Sequence, residues 1–273
     1  MELTDGHHHN AVGLVVWFNW SGLFYIWQKA VKPPGSLHGH HAHGVSLFHI
    51  RHPGAGGGWC CVIVRSEICD DDTIPSAYLH RSYDEMPLIE KKALELCKGS
   101  ILDIGAGAGI HASWLSEHNF TVEAIDISPM AVQYMQSKGL NASACKFEDY
   151  ESKKHDTLLM LMNGIGIAGE LSNLKSILLK AKELLLPQGQ IICDSTDIKY
   201  LYEDDEGGLW IDLNAEYYGN FKFQMKFEEH ETEWFDWLYV DFENLSKIAE
   251  DIGLEANKIH EEDNHFLAVL KHK

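Results

Sequence analysis

An acidic residue directly before closely spaced glycines is the feature of this sequence best suited to binding a ligand. The run from Ile101 to Gly109 reads ILDIGAGAG, so Asp103 lies in an apolar, strand-like stretch and three glycines alternate with alanines after it. Glycine lets the backbone turn sharply toward a ligand, and the first N–H groups of a following helix point to the same place. A carboxylate inside a strand is costly unless a ligand or a partner uses it. The run therefore predicts a ligand-binding turn.

A second acid follows at the tip of the next apolar run. Asp126 lies 21 residues after Gly105 and ends the stretch Val122–Ile125. An acid at this point of a strand–helix–strand unit accepts hydrogen bonds from ribose hydroxyls. A dinucleotide fingerprint would place its third glycine at Ile110, and Asp103 would repel its pyrophosphate. The pattern favours a nucleoside joined to a positively charged group, and a nucleotide-dependent oxidoreductase is the alternative.

The segments ILDIGAGAGIHASWL and VEAIDISPMAV resemble the cofactor half of class I S-adenosylmethionine-dependent methyltransferases, and the resemblance covers about residues 76–273. It implies a Rossmann-like α/β fold, that is, a doubly wound, mostly parallel sheet with an antiparallel last strand. The implied cofactor is S-adenosyl-L-methionine. The implied binding residues are Asp103, Gly105, Ala106, Gly107 and Gly109 for the methionine part and Asp126 with Ile127 for the ribose.

Two further cofactor contacts are expected from the same resemblance. Lys146 stands where the family usually has an acid after its third strand, and the neighbouring Phe147 is expected either to pack on the adenine or to join the core. Asn163 follows the apolar strand of residues 157–162. Strand ends on this side of an open parallel sheet face the ligand crevice, so Asn163 is expected near the transferred methyl group.

Two segments outside the minimal sheet are candidates for covering the site. Residues 78–84 precede the first helix, and Arg81 and Tyr83 are expected either to meet the cofactor and its carboxylate or to form a solvated helix entry. Residues 199–240 contain alternating runs that predict antiparallel strands, and they are rich in Tyr and Trp. These aromatic side chains either wall a pocket for a small substrate or pack this β-rich extension onto the domain.

The elements that position these residues follow from the apolar spacing. Helical signals cover residues 86–97, 110–118, 129–138, 171–186 and 242–252, with Ser128 and Asp241 as N-caps. Short apolar strands lie between them, and two strands at residues 255–260 and 265–271 close the chain as a hairpin. Strands that alternate with helices predict a parallel sheet with right-handed crossovers.

The first 68 residues differ from the rest. They carry four Lys or Arg and three Asp or Glu, whereas residues 69–273 carry 18 and 38, which marks a domain boundary near Cys69. Residues 1–68 form an atypical His- and Gly-rich segment, which is expected to be poorly ordered, a cap or oligomer contact, or a membrane anchor. An anchor would use residues 11–28, which are shorter than the about 20 residues of a spanning helix. We expect residues 1–68 to be dispensable for folding of the sheet.

Charge and cysteine content narrow the function. A formal net charge of −19 disfavours nucleic acid as a partner. The six cysteines contain no C-x-x-C pair, which indicates reduced thiols in a cytoplasmic protein and no metal site. The methyltransferase resemblance implies methyl transfer, and the acidic charge favours a small-molecule acceptor over nucleic acid. The alternative without catalysis is a cofactor-binding partner subunit. Asp194, Asp197 and His230 are candidate bases that the sequence does not distinguish, and it does not predict an oligomeric state.

Overall fold

A computed structural model of the chain describes residues 12–18, 24–30, 61–67, 69–203, 208, 216–227 and 230–273. The predictions of a cap, of poor order and of dispensability for residues 1–68 fall mostly outside these ranges and stay predictions. Within residues 11–28, the described part consists of two paired antiparallel strands. No helix in the described ranges combines the length and the apolar character needed to cross a bilayer.

The strands of the described residues are, in chain order, β1 (Val12–Phe18), β2 (Phe24–Ala30), β3 (Cys61–Ser66), β4 (Asp72–Pro75), β5 (Ser100–Ile104), β6 (Thr121–Asp126), β7 (Ala142–Ala144), β8 (His155–Met160), β9 (Leu185–Thr196), β10 (Asn220–Phe227), β11 (His230–Glu231), β12 (Phe235–Leu238), β13 (Leu254–Glu262) and β14 (His265–His272). The helices are α1 (Leu88–Leu96), α2 (Ile110–Glu117), α3 (Pro129–Ser137), α4 (Leu171–Glu183) and α5 (Phe242–Asp251).

The main sheet has seven strands in the order β13-β14-β9-β8-β5-β6-β7. The pairs from β9 to β7 are parallel, and β14 runs antiparallel to β9. Successive side chains of a strand point to opposite faces, so Leu158 packs with residues of α4 and α5 while Leu159 packs with residues of α1 and α2. This sheet, covered on both faces, confirms the predicted fold.

The predicted helix caps are present. Ala131 N donates to Ser128 Oγ over 3.3 Å at the start of α3, and Asn244 N donates to Asp241 Oδ1 over 2.8 Å at the start of α5. The predicted end of the fourth helix is wrong by a few residues. α4 stops at Glu183, because the chain from Leu185 onward pairs with β8 and extends β9 past Pro187.

A smaller antiparallel sheet lies beside the main one and consists of β4, β3, β10 and β11, with β12 paired to β10. Its β3 lies between β10 and β4, although β3 precedes Cys69. The boundary drawn from charge at Cys69 therefore does not coincide with the edge of the folded sheet, because backbone pairing rather than surface charge decides which residues belong to it. Of the strand predicted near residues 208–213, only Gly208 is within the described residues.

Aromatic residues of the extension form the core of this small sheet. Phe221, Phe223 and Tyr239 are fully buried and contact one another with ring centroids 5.5 to 6.1 Å apart. Trp237 of β12 lies directly against Gly166, in the short helical turn Gly164–Ala168 that follows β8. The small sheet is thereby docked onto the carboxyl end of the main sheet.

Candidate functional site

The glycine turn after β5 has a backbone that requires glycine. Gly105, Gly107 and Gly109 have φ angles of 70°, 57° and 74°, in the left-handed region that other residues avoid. Gly109 is also the N-cap of α2, and a Cβ there would come within 2.7 Å of Met135 Cγ. The turn therefore brings its backbone and the first N–H groups of α2 to the carboxyl edge of β5.

Asp126 ties this turn to the tip of β6. Its Oδ2 accepts a hydrogen bond from Gly107 N and its Oδ1 accepts one from Ser128 N, both over 2.8 Å. The next side chain, Ile127, is 59% exposed beside it. The predicted ribose contact is thus also a structural support of the turn.

Asp103 is a buried carboxyl group that faces a cleft. It is 2% exposed, and its Oδ2 has no hydrogen-bond partner among the described residues. The pKa of Asp103 is raised to about 6, mainly by burial, while the nearby His111 acts to lower it and Asp126 acts to raise it. A cation placed at this oxygen would compensate the desolvation of the carboxylate.

Arg81 reaches the same cleft from the segment before α1. Its guanidinium group is buried, pairs with both carboxylate oxygens of Glu90 and donates to Tyr78 O over 2.9 Å. His111 Nε2 lies 2.7 Å from the same carboxylate. Burial alone would raise the pKa of Glu90, but Arg81 and His111 together hold it below its ordinary value.

Arg81, Asp103 and His111 line one small cleft at the carboxyl edge of β5 and β8. Arg81 and Asp103 place opposite charges on its walls, and Gly105, Ala106 and Met162 complete the part nearest the turn. A cleft with one fixed cation and one carboxyl group complements a zwitterion such as an amino acid.

Asn163 lies in a strained turn directly after β8. Met162 and Asn163 are consecutive non-glycine residues with φ angles of 65° and 55°. Asn163 is fully buried and donates from Nδ2 to Leu238 O over 3.0 Å, and its Oδ1 has no partner among the described residues. The hydrogen bond to Leu238 therefore fixes this turn to β12 of the small sheet.

Asp194 of the neighbouring strand β9 contacts the same turn. Its Oδ1 accepts from Gly164 N over 3.3 Å, and its Oδ2 lies 2.9 Å from His265 Nε2. Burial raises the pKa of Asp194 to about 8, and Glu90 adds to this increase. The geometry gives Asp194 a supporting position, since its carboxyl is fully buried and occupied by these contacts.

Of the predicted cofactor residues, Arg81, Asp103, Gly105 and Ala106 line the cleft. The side chains of Asn163, Tyr83 and Phe147 do not. The ring of Tyr83 stacks on Trp114 with centroids 4.8 Å apart, because the chain after Arg81 turns outward along α2. The ring of Phe147 is buried in the main core together with side chains of β5 and β8. The structure therefore separates Arg81, which reaches the cleft, from Tyr83 only two residues later.

The candidate bases are not brought together at the cleft either. Asp197 accepts from Tyr218 Oη over 2.8 Å, beside Asp241 at the start of α5. The side chain of His230 is outside the described part of the chain. Asp194 contacts the turn after β8, where its Oδ1 accepts a hydrogen bond from Gly164 N.

Glu90 and His111 are site residues that the sequence reasoning missed. A signal for Glu90 existed, because it lies at helical spacing from Leu94 and Cys97, which are both buried. An acid on a buried helix face requires a charged partner. His111 had a weaker signal, since it is the second residue of the helix that follows the glycine turn.

Comparison with known proteins agrees with this geometry. A family model described as a methyltransferase domain matches residues 78–257. A solved structure of an S-adenosylmethionine-dependent methyltransferase from Bacteroides fragilis, in complex with S-adenosyl-L-homocysteine, is 41% identical, with a TM-score of 0.73 over 78% of this chain and 87% of that chain.

Two more distant similarities accompany it. The CcbJ methyltransferase from Streptomyces caelestis is 14% identical, with a TM-score of 0.55 over 70% of this chain and 94% of that chain, and shares the fold. A ribosomal RNA small subunit methyltransferase C from Alcanivorax borkumensis is 33% identical over 72 residues. That match spans 24% of this chain and 22% of the relative, so the chain corresponds to about a fifth of that protein.

Proposed function

Because this chain belongs to the S-adenosylmethionine-dependent methyltransferases, we propose that it transfers the sulfonium methyl group to a small-molecule acceptor. The observation that carries the proposal is the cleft at the glycine turn, which is lined by the buried Asp103, whose Oδ2 has no partner among the described residues, and by the guanidinium group of Arg81. This pair complements the amino-acid end of the cofactor.

The residues of the site fit S-adenosylmethionine. Asp103 would pair with its ammonium group, Arg81 would meet its carboxylate, and the backbone of residues 105–109 would border its methionine chain. Asp126 would accept the ribose hydroxyls, and the exposed side chain of Ile127 would pack on the adenine. A nicotinamide dinucleotide fits less well, because Asp103 would repel its pyrophosphate.

Methyl transfer requires alignment and exclusion of water more than a dedicated acid or base. When bound, S-adenosylmethionine supplies an electrophilic methyl group on its sulfonium. The strained turn at Met162 and Asn163 would border an acceptor at this point, because Met162 lines the cleft. The small sheet, docked through Trp237 and Leu238, would shield the turn from water.

Two observations support a small acceptor over a polynucleotide. The chain has a formal net charge of −19, which opposes binding of RNA or DNA. The small sheet also covers the carboxyl end of β8, the edge at which an open α/β sheet binds ligands. The short similarity to a ribosomal RNA methyltransferase is the reason to include RNA as a test substrate.

A transfer assay with methyl-labelled S-adenosylmethionine tests this proposal. The acceptors are a panel of small amines, acids and phenols on one side and ribosomal RNA on the other. We expect label in a small-molecule product and none in RNA. Label in RNA alone would contradict the small-molecule acceptor, and binding of NAD without binding of S-adenosylhomocysteine would contradict the methyltransferase assignment.

A further inference from the structure

Glu90 is an acidic residue buried on an apolar helix face, where an unpaired charge would be unfavourable. It lies on α1, is 3% exposed, and shares a buried helix face with Ile89, Ala93 and Leu94. An ionised carboxylate in such surroundings is unfavourable unless it is paired and hydrogen-bonded. Both conditions are met by two side chains from other elements, Arg81 before α1 and His111 on α2.

The contacts of Glu90 immobilise the Arg81 guanidinium. Nη2 pairs with Glu90, Nη1 donates to Tyr78 O, and the guanidinium carbon lies 4.0 Å above the centre of the Tyr78 ring. Its Nε is buried and has no partner among the described residues. Arg81 is thus held in place, with its Nε N–H unused beside the cleft.

His111 gives Glu90 a second connection to the same cleft. Its Nε2 lies 2.7 Å from Glu90 Oε2, and its side chain lines the cleft together with Arg81 and Asp103. Glu90 itself does not line the cleft, so any effect it has on a ligand passes through these two residues. One carboxylate therefore fixes two cleft groups that come from separate segments of the chain.

We propose that Glu90 is a positioning residue for the amino-acid end of the cofactor, acting through Arg81 and His111. This inference rests on the proposed binding of S-adenosylmethionine in the cleft. It predicts that Glu90 affects the affinity only of ligands that have an amino-acid end. Recognition of the nucleoside end uses Asp126, which is held by Gly107 and Ser128 instead.

Two ligands distinguish recognition of the amino-acid end from recognition of the nucleoside end. S-Adenosylhomocysteine carries the ammonium and carboxylate groups, whereas 5′-methylthioadenosine keeps the nucleoside and lacks both. In Glu90→Gln, the neutral side chain no longer anchors the guanidinium by charge. We expect calorimetry to give a dissociation constant for S-adenosylhomocysteine raised about tenfold or more, with that for 5′-methylthioadenosine changed less than about twofold.

Glu95→Gln is the matched control, because Glu95 is an exposed acid on the same helix. It should leave both dissociation constants unchanged. Equal weakening of both ligands in Glu90→Gln, or no change in either, would overturn the inference. If the unaltered protein binds neither ligand, the proposed function fails instead.

His111→Gln tests the same connection while the pair between Glu90 and Arg81 is retained. We expect a smaller loss that is again confined to S-adenosylhomocysteine. This variant also decides the matter if Glu90→Gln does not fold. A loss shared equally by 5′-methylthioadenosine, or no loss at all, would contradict the inference.

Discussion

Lowering the pH should weaken binding of S-adenosylhomocysteine through Asp103. Burial raises the pKa of this carboxyl to about 6, so the free protein takes up a proton there as the pH falls below that value. The ligand's ammonium group pairs with the ionised form, and binding below pH 6 must therefore release the proton. The affinity is then fully present above the raised pKa and falls as the pH drops through it.

The expected size follows from the same pKa. With a pKa of about 6, roughly one tenth of Asp103 is ionised at pH 5, so the dissociation constant should rise about tenfold between pH 7.5 and pH 5. Asp103→Asn lacks the charge at every pH. Its affinity at pH 7.5 should be lower by about 10- to 100-fold, the range for hydrogen bonds to charged groups, and should not depend on pH.

Calorimetry from pH 5 to pH 7.5 measures both effects, with 5′-methylthioadenosine as the ligand that lacks an ammonium group. Its affinity should stay constant in both proteins, and circular dichroism at each pH checks that they remain folded. His111 on α2 and Asp126 on β6 also face Asp103, so the variant is needed to isolate its contribution. A flat profile in the unaltered protein, or the same slope in Asp103→Asn, would refute the reasoning.

Three further outcomes follow from the packing around the site. Tyr217→Phe removes a hydroxyl that donates to Asp241 Oδ2 over 2.6 Å, so denaturant unfolding should show a loss of about 1–3 kcal/mol while the affinity for S-adenosylhomocysteine is unchanged. Gly166→Ala places a methyl group against the buried Trp237 ring, and we expect a loss of about 1–3 kcal/mol in the same measurement; unchanged stability would mean that the ring moves freely. Deleting residues 1–68 removes a strand that pairs on both sides, so this truncated chain should melt at a lower temperature than one lacking only residues 1–60; equal melting temperatures would show that the strand is dispensable.

Structural features that depend on short stretches of the chain could be predicted from the sequence. The glycine turn, Asp103 and Asp126 follow one another within two strand–helix units, and their spacing alone predicts where they meet. The caps at Ser128 and Asp241 are equally local, because a cap bonds to a backbone group three residues away.

Features that depend on tertiary packing could not be predicted in this way. Arg81, Glu90 and His111 come from three segments, and only the packing of α1 beside α2 brings them together. Arg81 and Tyr83 are two residues apart and looked equivalent, yet one turns into the cleft and the other stacks on Trp114. The pairing of β3 with β10 in the small sheet also depends on tertiary packing, because the two strands are more than 150 residues apart in the sequence.

A crystal structure of the complex with S-adenosylhomocysteine tests the central claim most directly. We expect the ribose hydroxyls within hydrogen-bond distance of the Asp126 carboxylate, the ammonium group at Asp103 and the carboxylate at Arg81. A ligand bound elsewhere, or one with its adenine at Arg81 and its amino-acid end at Asp126, would contradict it.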